Sequence, residues 1–224
     1  MSGIAPETPL PPPRWQRRPE ARPEEILDAA LEIFGDRGFA RAKLDEIARH
    51  AGISKGTLYL YFDSKESIFR AMVRARVVTV VMAGEELLRS HQGSYRDLLV
   101  KLTAQIWRTV RDPKTARIIR LVHSELSNFP ELTKFYFDEV ILRARRVLEA
   151  AIIGGIDAGE FRPVDPQCTA RAFPILLVHS AQFQCFFHSY DPAVLSDERF
   201  YTGILDLLLN GVLSFPPSPG DRSP

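Results

Sequence analysis

The sequence predicts an all-α protein built from three short helices at the N-terminus and about six longer ones after them. Apolar residues recur every three to four positions along most of the chain, as on the buried face of a helix. Helix-capping residues and prolines stand where these stretches begin. The chain has no long alternation of apolar and polar residues, the pattern of a half-buried strand, and no internal repeat.

The first three predicted helices are short. The first begins at Pro23, because proline suits the first turn of a helix, and ends at Gly38. The second spans "KLDEIARHAG" and stops at Gly52, and the third spans "SKGTLYLYF" with Ser54 as its N-cap. The turn "HAGIS" between them has the length and the glycine of a helix-turn-helix, whose second helix enters the major groove of DNA.

The longer helices begin at capping residues or at prolines. The fourth opens at "DSKE", where Asp63 is the expected N-cap and Glu66 stands at capping-box spacing, and it runs to about Arg89. The expected starts of the others are Ser94, Asp112–Pro113, Pro130, Asp165–Pro166 and Ser196, with the last helix ending near Ser214.

Proline also marks the two ends of the chain. Seven of the 17 prolines lie in residues 6–23 and four in 216–224, a composition typical of disordered tails. The predicted organisation is a disordered Pro/Arg-rich arm (1–22), a helix-turn-helix domain (23–69), a larger helical domain (70–214) and a disordered tail (215–224).

The composition excludes several classes of protein. A net charge of +1 gives no global field toward nucleic acid or membrane, and two cysteines make no disulfide framework. The N-terminus lacks the apolar core of a secretory signal, and the longest uncharged run (172–190) contains a proline and several polar residues. We therefore expect a cytoplasmic protein that does not span a membrane.

The sequence contains none of the common signatures of enzymes or metal sites. It has no HExxH, no paired CxxC, no glycine-rich phosphate loop and no nucleophile elbow, and its five histidines do not pair at ligand spacing on one helix. We therefore predict no enzymatic activity, no cofactor and no bound metal.

The third predicted helix has one side that is expected to be buried in the core and an opposite side that is expected to contact DNA. On a wheel of roughly 100° per residue, Leu58 and Phe62 share the buried side. The opposite side carries small or apolar tips that can meet base edges, flanked by two tyrosines whose hydroxyls can reach phosphates. These outward residues are Gly56, Thr57, Tyr59, Leu60 and Tyr61.

The charge around this helix agrees with a DNA interface. From Arg37 to Lys65 there are six basic and three acidic residues. The arm from Arg14 to Pro23 carries four arginines and one acid, so it either lies in a minor groove or is a solvated tail.

The stretch "IARHAGISKGTLYLYFDSKE", within residues 26–69, resembles the TetR/AcrR family of transcriptional regulators. The resemblance implies a three-helix DNA-binding domain (23–69), a six-helix effector-binding and dimerisation domain (70–214) and a homodimer made mainly by the last two helices. Where the family has a hydroxyl residue at the start of helix two, this chain has Ala42 and Lys43, so Lys43 is the expected phosphate contact there. The family's other DNA contacts carry over onto Ser54, Lys55, Gly56, Thr57, Tyr59, Leu60, Tyr61 and Lys65.

The remaining helices predict an effector pocket and a dimer interface. The run "AFPILLVHSAQFQCFFHSY" and the last helix are too apolar to lie on the surface of a monomer. The candidate dimer residues are Phe173, Leu177, Phe186, Phe187, Phe200, Ile204, Leu207 and Leu208. A largely apolar or aromatic effector is expected among Trp107, His123, Phe129, Phe137, His179, Gln182 and Phe183.

The function predicted from these features is transcriptional repression. A homodimer would bind a palindromic operator and be released by a small effector. A ligand-independent repressor, an activator of the same fold and a helical adaptor protein remain as alternatives. The adaptor would explain the apolar last helices but not the two tyrosines that flank an outward leucine.

Overall fold

The computed structural model describes residues 22–193 and 195–212, and no β-strand is found among them. The predicted all-α class is confirmed, whereas the predicted tails lie almost wholly outside the described residues. The α-helices are α1 (Arg22–Arg37), α2 (Leu44–His50), α3 (Lys55–Tyr59), α4 (Lys65–Val73), α5 (Thr79–Arg89), α6 (Tyr95–Arg111), α7 (Pro113–Glu125), α8 (Pro130–Tyr136), α9 (Arg143–Asp157), α10 (Pro166–Phe187) and α11 (Asp197–Asn210).

Two of the predicted long helices contain a π-helical segment. The segment Arg74–Val78 joins α4 to α5, and Phe137–Leu142 joins α8 to α9. With these joins the longer helices number six within the described residues, as the sequence predicts. The sequence did not reveal the π segments, because each is a short stretch inside a longer helix and no residue type marks it.

The starts of the short helices follow from local chemistry, with two corrections. Ser54 caps α3 as predicted, since its hydroxyl accepts from the Thr57 N–H at 3.0 Å. The N-cap of α4 is Ser64 and not Asp63, and its backbone N–H donates in return to the Ser67 hydroxyl and not to Glu66. Adjacent Asp and Ser are equally good caps, so the sequence did not distinguish the two registers.

The third helix is also shorter than predicted. It ends at Tyr59, and the chain continues in a turn in which the N–H groups of Tyr61 and Phe62 both donate to the Leu58 carbonyl. The wheel therefore holds only for residues 55–59. The positions of Leu60 and Tyr61 depend on the turn.

Two apolar clusters form the core. The first joins α1–α4 to α7 and α8, so the helix-turn-helix shares its core with helices of the C-terminal part. Phe39 lies at this junction and is fully buried, with its ring 4.8 Å from that of Phe129. Beside it Gly38 has φ +77°, and a Cβ there would meet the Glu125 carboxylate at 2.7 Å. The second cluster is built by α6, α9, α10 and α11.

The long helix α10 presents apolar side chains on both of its sides. Its inner side holds Phe173 and Leu177, which are buried in the second cluster together with Leu208 of α11. These three predicted dimer residues are covered within a single protomer, so little of their side chains is left for a partner to contact. A helix that is apolar all round gives no periodic signal for which side faces inward. Phe200 and Ile204 are partly buried against the second cluster, and Phe186, Phe187 and Leu207 are exposed.

Candidate functional site

The first candidate site is the outer surface of α3 and the turn after it. Leu58 is fully buried and fixes this segment to the core, while Leu60 is 83% exposed. Gly52 makes the turn from α2 with φ +65°, a conformation that favours glycine. Tyr59 and Tyr61 are also exposed, so this surface combines an apolar tip with two phenol groups.

The beginning of α3 is held by its own polar groups. The hydroxyls of Ser54 and Thr57 lie 2.8 Å apart and share a hydrogen bond. The Lys55 ammonium lies 2.8 Å from the Asp45 carboxylate of α2, and that hydrogen bond raises the pKa of Lys55. The pair ties α3 to α2 and keeps the lysine charged. Gly56 is exposed and leaves the backbone open to close approach.

The side chains of Lys43 and Lys65 differ in their contacts within the protein. Lys43 is exposed at the N-cap of α2, where its backbone N–H donates to the Glu46 carboxylate at 3.3 Å and its side chain makes no cap bond. The Lys65 ammonium donates to the carbonyls of Phe39 and Ala40, both at 2.8 Å. Lys43 is therefore free to meet a phosphate, whereas Lys65 closes the α1–α2 turn and keeps one N–H for another partner.

The second candidate site is an apolar cavity of about 230 Å³ among α5–α10. Its wall is mostly aliphatic, and both π segments contribute to it. The lining residues are Val77, Val80, Val81, Ile106, Thr109, Val110, Thr115, Ile119, His123, Tyr136, Val140, Ile141, Ala144, Arg145, Arg171, Pro174, Ile175, Val178 and His179.

A few polar groups interrupt this wall. Burial raises the pKa of Tyr136 to about 12, so its hydroxyl stays protonated and is a hydrogen-bond donor at neutral pH. The rings of His123 and His179 stack with their centroids 5.1 Å apart. Burial, and then the charge of His179, lower the pKa of His123. Arg145 and Arg171 are the two permanent charges of the lining.

The predicted effector residues divide between several places. His123 and His179 do line the cavity. Trp107 does not, because its indole is buried against the stacked ring of Tyr201, 5.6 Å away. Phe129 packs on Phe39 at the domain junction. The aromatic character predicted for the effector rested partly on these two misplaced rings.

The three remaining predicted residues also lie outside the cavity. Phe137 is exposed, with the Arg145 guanidinium 5.6 Å from its ring. Gln182 and Phe183 line a separate, more polar cleft between α1, α7 and α10. The stacked histidines form the wall that the cleft and the cavity share. Thr109, Tyr136 and the two arginines were missed, since isolated polar residues within helices give no sequence signal.

Two family models match successive parts of the chain. Residues 26–72 match the bacterial regulatory proteins of the tetR family, and residues 97–201 match the C-terminal domain of AefR-like transcriptional repressors. The chain belongs to the TetR family. It is therefore a transcriptional regulator and not an enzyme.

Relatives in this family cover almost the whole chain. The fatty acid metabolism regulator protein of Bacillus subtilis (strain 168) is 22% identical over 202 residues, which are 88% of this chain and 97% of that protein. The structure of the regulator FadR from Bacillus subtilis in complex with stearoyl-CoA superposes with a TM-score of 0.69 at 20% identity, covering 84% of this chain and 98% of that one.

A second structure, the SmeT–triclosan complex, superposes with a TM-score of 0.72 at 21% identity over 91% of this chain and 99% of that one. At such identities the likeness establishes the fold. No helix in the described part of the chain is long and apolar enough to cross a bilayer.

Proposed function

We propose that the protein is a repressor that binds a palindromic operator as a homodimer and is released when a small, largely apolar effector fills the cavity. The single observation that carries this proposal is the shared core. Helices α7 and α8, which line the cavity, also pack against the helix-turn-helix. A ligand that moved them would therefore move the DNA-binding surface too.

The DNA-binding part of the proposal rests on the exposed surface of residues 54–61. Its apolar and small tips suit base edges in the major groove, and its hydroxyls together with Lys43 suit phosphates. Such a regulator works where the chromosome is, so we place it in the cytoplasm. The match of residues 97–201 to AefR-like repressors favours repression over activation. A reporter gene under the operator, with the regulator present or deleted, distinguishes the two by the sign of the change.

The dimer part rests on the outer sides of α10 and α11. Phe186 and Leu207 are 71% and 67% exposed in one protomer, and a second copy would cover such apolar side chains. The double variant Phe186→Asp/Leu207→Asp should give a monomer by multi-angle light scattering at micromolar concentration. Met82→Asp is the matched control, because Met82 is also exposed but lies on α5. A wild-type monomer, or an intact dimer in the double variant, would contradict this interface.

The effector part is supported by the apolar cavity and by the ligands in the two related structures, stearoyl-CoA and triclosan. The test is a thermal-shift screen of apolar compounds, followed by operator titrations with each compound that binds. Ala144→Phe should fill the cavity, since Ala144 is part of its wall. That variant should bind the operator with the affinity of wild-type protein, and the compound should not change that affinity. Binding compounds that leave operator affinity unchanged would instead indicate ligand-independent regulation.

A further inference from the structure

A narrower space of about 50 Å³ adjoins the apolar cavity between α5, α6 and α9. Four residues line both spaces, so only their side chains lie between the two. From these shared residues the narrow space extends by about one helical turn along each of the three helices, and no described residue of α10 lines it. The shared residues are Val80, Val81, Ile106 and Ala144, and the residues reached further on are Gly84, Leu102, Gln105, Val147 and Leu148.

Gly84 is what leaves this narrow space open. It lies inside α5, where glycine is less favourable for the helix than alanine. Its backbone does not require glycine, since its φ is not positive, and a Cβ built there would make ordinary contacts with the Leu102 Cδ2 at 3.4 Å and the Val147 Cγ1 at 3.9 Å. The one amide in the wall, that of Gln105, already donates to the Val80 carbonyl at 3.1 Å. The end of the space therefore suits a hydrocarbon group.

The part of the cavity lined by α10, which does not line the narrow space, forms a rim that carries positive charge. Arg171 lies one turn before the exposed Ile175, and Arg145 lies one turn after the exposed Ile141. The Arg171 guanidinium donates to the Gln167 carbonyl at 2.7 Å, and neither arginine is paired with a carboxylate in the described part of the chain. The described lining of the cavity also contains no Asp or Glu. An anion is therefore favoured at this rim.

We propose that the effector is a single-chain amphiphile, with its anionic group held by Arg145 and Arg171 at the rim and the end of its hydrocarbon chain against Gly84. The identification of this ligand as an effector rests on the proposed function, whereas its binding does not. Gly84 then limits the length of chain that the cavity accepts. An apolar cavity of about 150 Å³ holds one benzene molecule, roughly 25 Å³ per carbon, so the narrow space of about 50 Å³ takes about two carbons.

The binding experiment uses the full-length dimer and saturated carboxylates of increasing chain length, titrated by calorimetry below their critical micelle concentrations. The matched primary alcohols test the role of the charge. The coenzyme A thioesters of the same acids test whether the anion is a carboxylate or a phosphate. Each buried methylene should tighten binding by about fourfold until the chain reaches Gly84, after which affinity stops rising.

Substitutions at two positions move that limit in opposite directions. Gly84→Val should stop the rise about two methylenes earlier without weakening the binding of shorter chains, and Gly84→Ala should have a smaller effect of the same sign. Val147→Ala enlarges the narrow space and should move the limit to longer chains. Circular dichroism confirms that each variant is folded. The same length limit in folded Gly84→Val, Val147→Ala and wild-type protein would overturn the assignment of Gly84.

The rim is tested separately by Arg145→Gln/Arg171→Gln. This double variant should lose the preference of at least tenfold for an anionic chain over the matched alcohol and keep the length limit. Equal affinity of wild-type protein for acid, thioester and alcohol would overturn the anion assignment. If anionic chains bind as described but do not release operator DNA, the proposed function fails and this inference stands. If an unrelated compound releases the operator and no chain binds, the inference fails and the proposed function stands.

Discussion

Replacement of Lys43 by glutamine isolates one phosphate contact at the N-terminus of α2. Lys43 is exposed, and no ion pair holds its side chain within the described residues. The N-cap of α2 should survive, because the Glu46 carboxylate accepts from the backbone N–H of residue 43 and not from its side chain. The substitution therefore changes the charge that faces DNA and leaves the fold intact.

The expected size of the effect follows from counterion release. Each neutralised phosphate contributes about 0.9 to the slope of log K against log salt, so a dimer that loses two contacts loses about 1.8. At 0.1 M salt this corresponds to roughly 60-fold weaker binding, and the loss should shrink toward none as the salt approaches 1 M.

The assay is fluorescence anisotropy of a labelled operator duplex, selected from a random library by the wild-type protein and titrated at four or more salt concentrations. The free energy of unfolding, measured in urea, should match that of wild-type protein. An unchanged salt slope in Lys43→Gln, together with unchanged stability, would refute the phosphate contact at this residue.

The other predictions concern recognition, packing and protonation. Tyr61→Phe should weaken binding about tenfold per half-site on every duplex without changing the salt slope, because a neutral hydroxyl releases no counterion; a changed slope would contradict this. Thr57→Ala should change the base preferred at one position of each half-site in a selection experiment, and an unchanged selected sequence would show that it does not contact a base. Gly155→Ala should lower the free energy of unfolding in urea by about 1–3 kcal/mol, because a Cβ there would lie 2.2 Å from the Phe161 ring; equal stability would show that the ring moves freely. The pKa of His123 is lowered by burial and then by the neighbouring imidazole, so the unfolded chain takes up that proton first and stability falls as the pH drops through about 6.5. His123→Gln should flatten this fall in melting scans between pH 8 and 5.5, and an identical pH profile would contradict the assignment.

The DNA-binding part of the fold could be predicted from the sequence because its signals are local. Ser54, the turn at Gly52 and the buried Leu58 each act within a few residues of their position. The errors there are small shifts between equivalent local choices. Asp63 and Ser64 are both good N-caps, and the end of α3 depends on a turn that the apolar pattern does not reveal.

The residues of the cavity and of the dimer surface could not be predicted from the sequence, because their positions depend on packing between residues that are far apart in the chain. Trp107 would suit a ligand pocket as well as a core. It belongs to the core because it stacks on the ring of Tyr201, which is far away in the sequence. Phe173 and Phe186 are equally apolar, yet one is buried in its own protomer and the other is exposed. Which side of a uniformly apolar helix faces inward is set by its neighbours and not by its own sequence.

The most direct test of the account is the affinity of the purified dimer for its selected operator, measured with and without a saturating ligand of the cavity. We predict two protomers on a palindrome and a dissociation constant that rises at least fivefold when the ligand is bound, the lower end of typical allosteric coupling. The same dissociation constant in both conditions, for a ligand shown to occupy the cavity, would contradict the claim that the two sites are coupled.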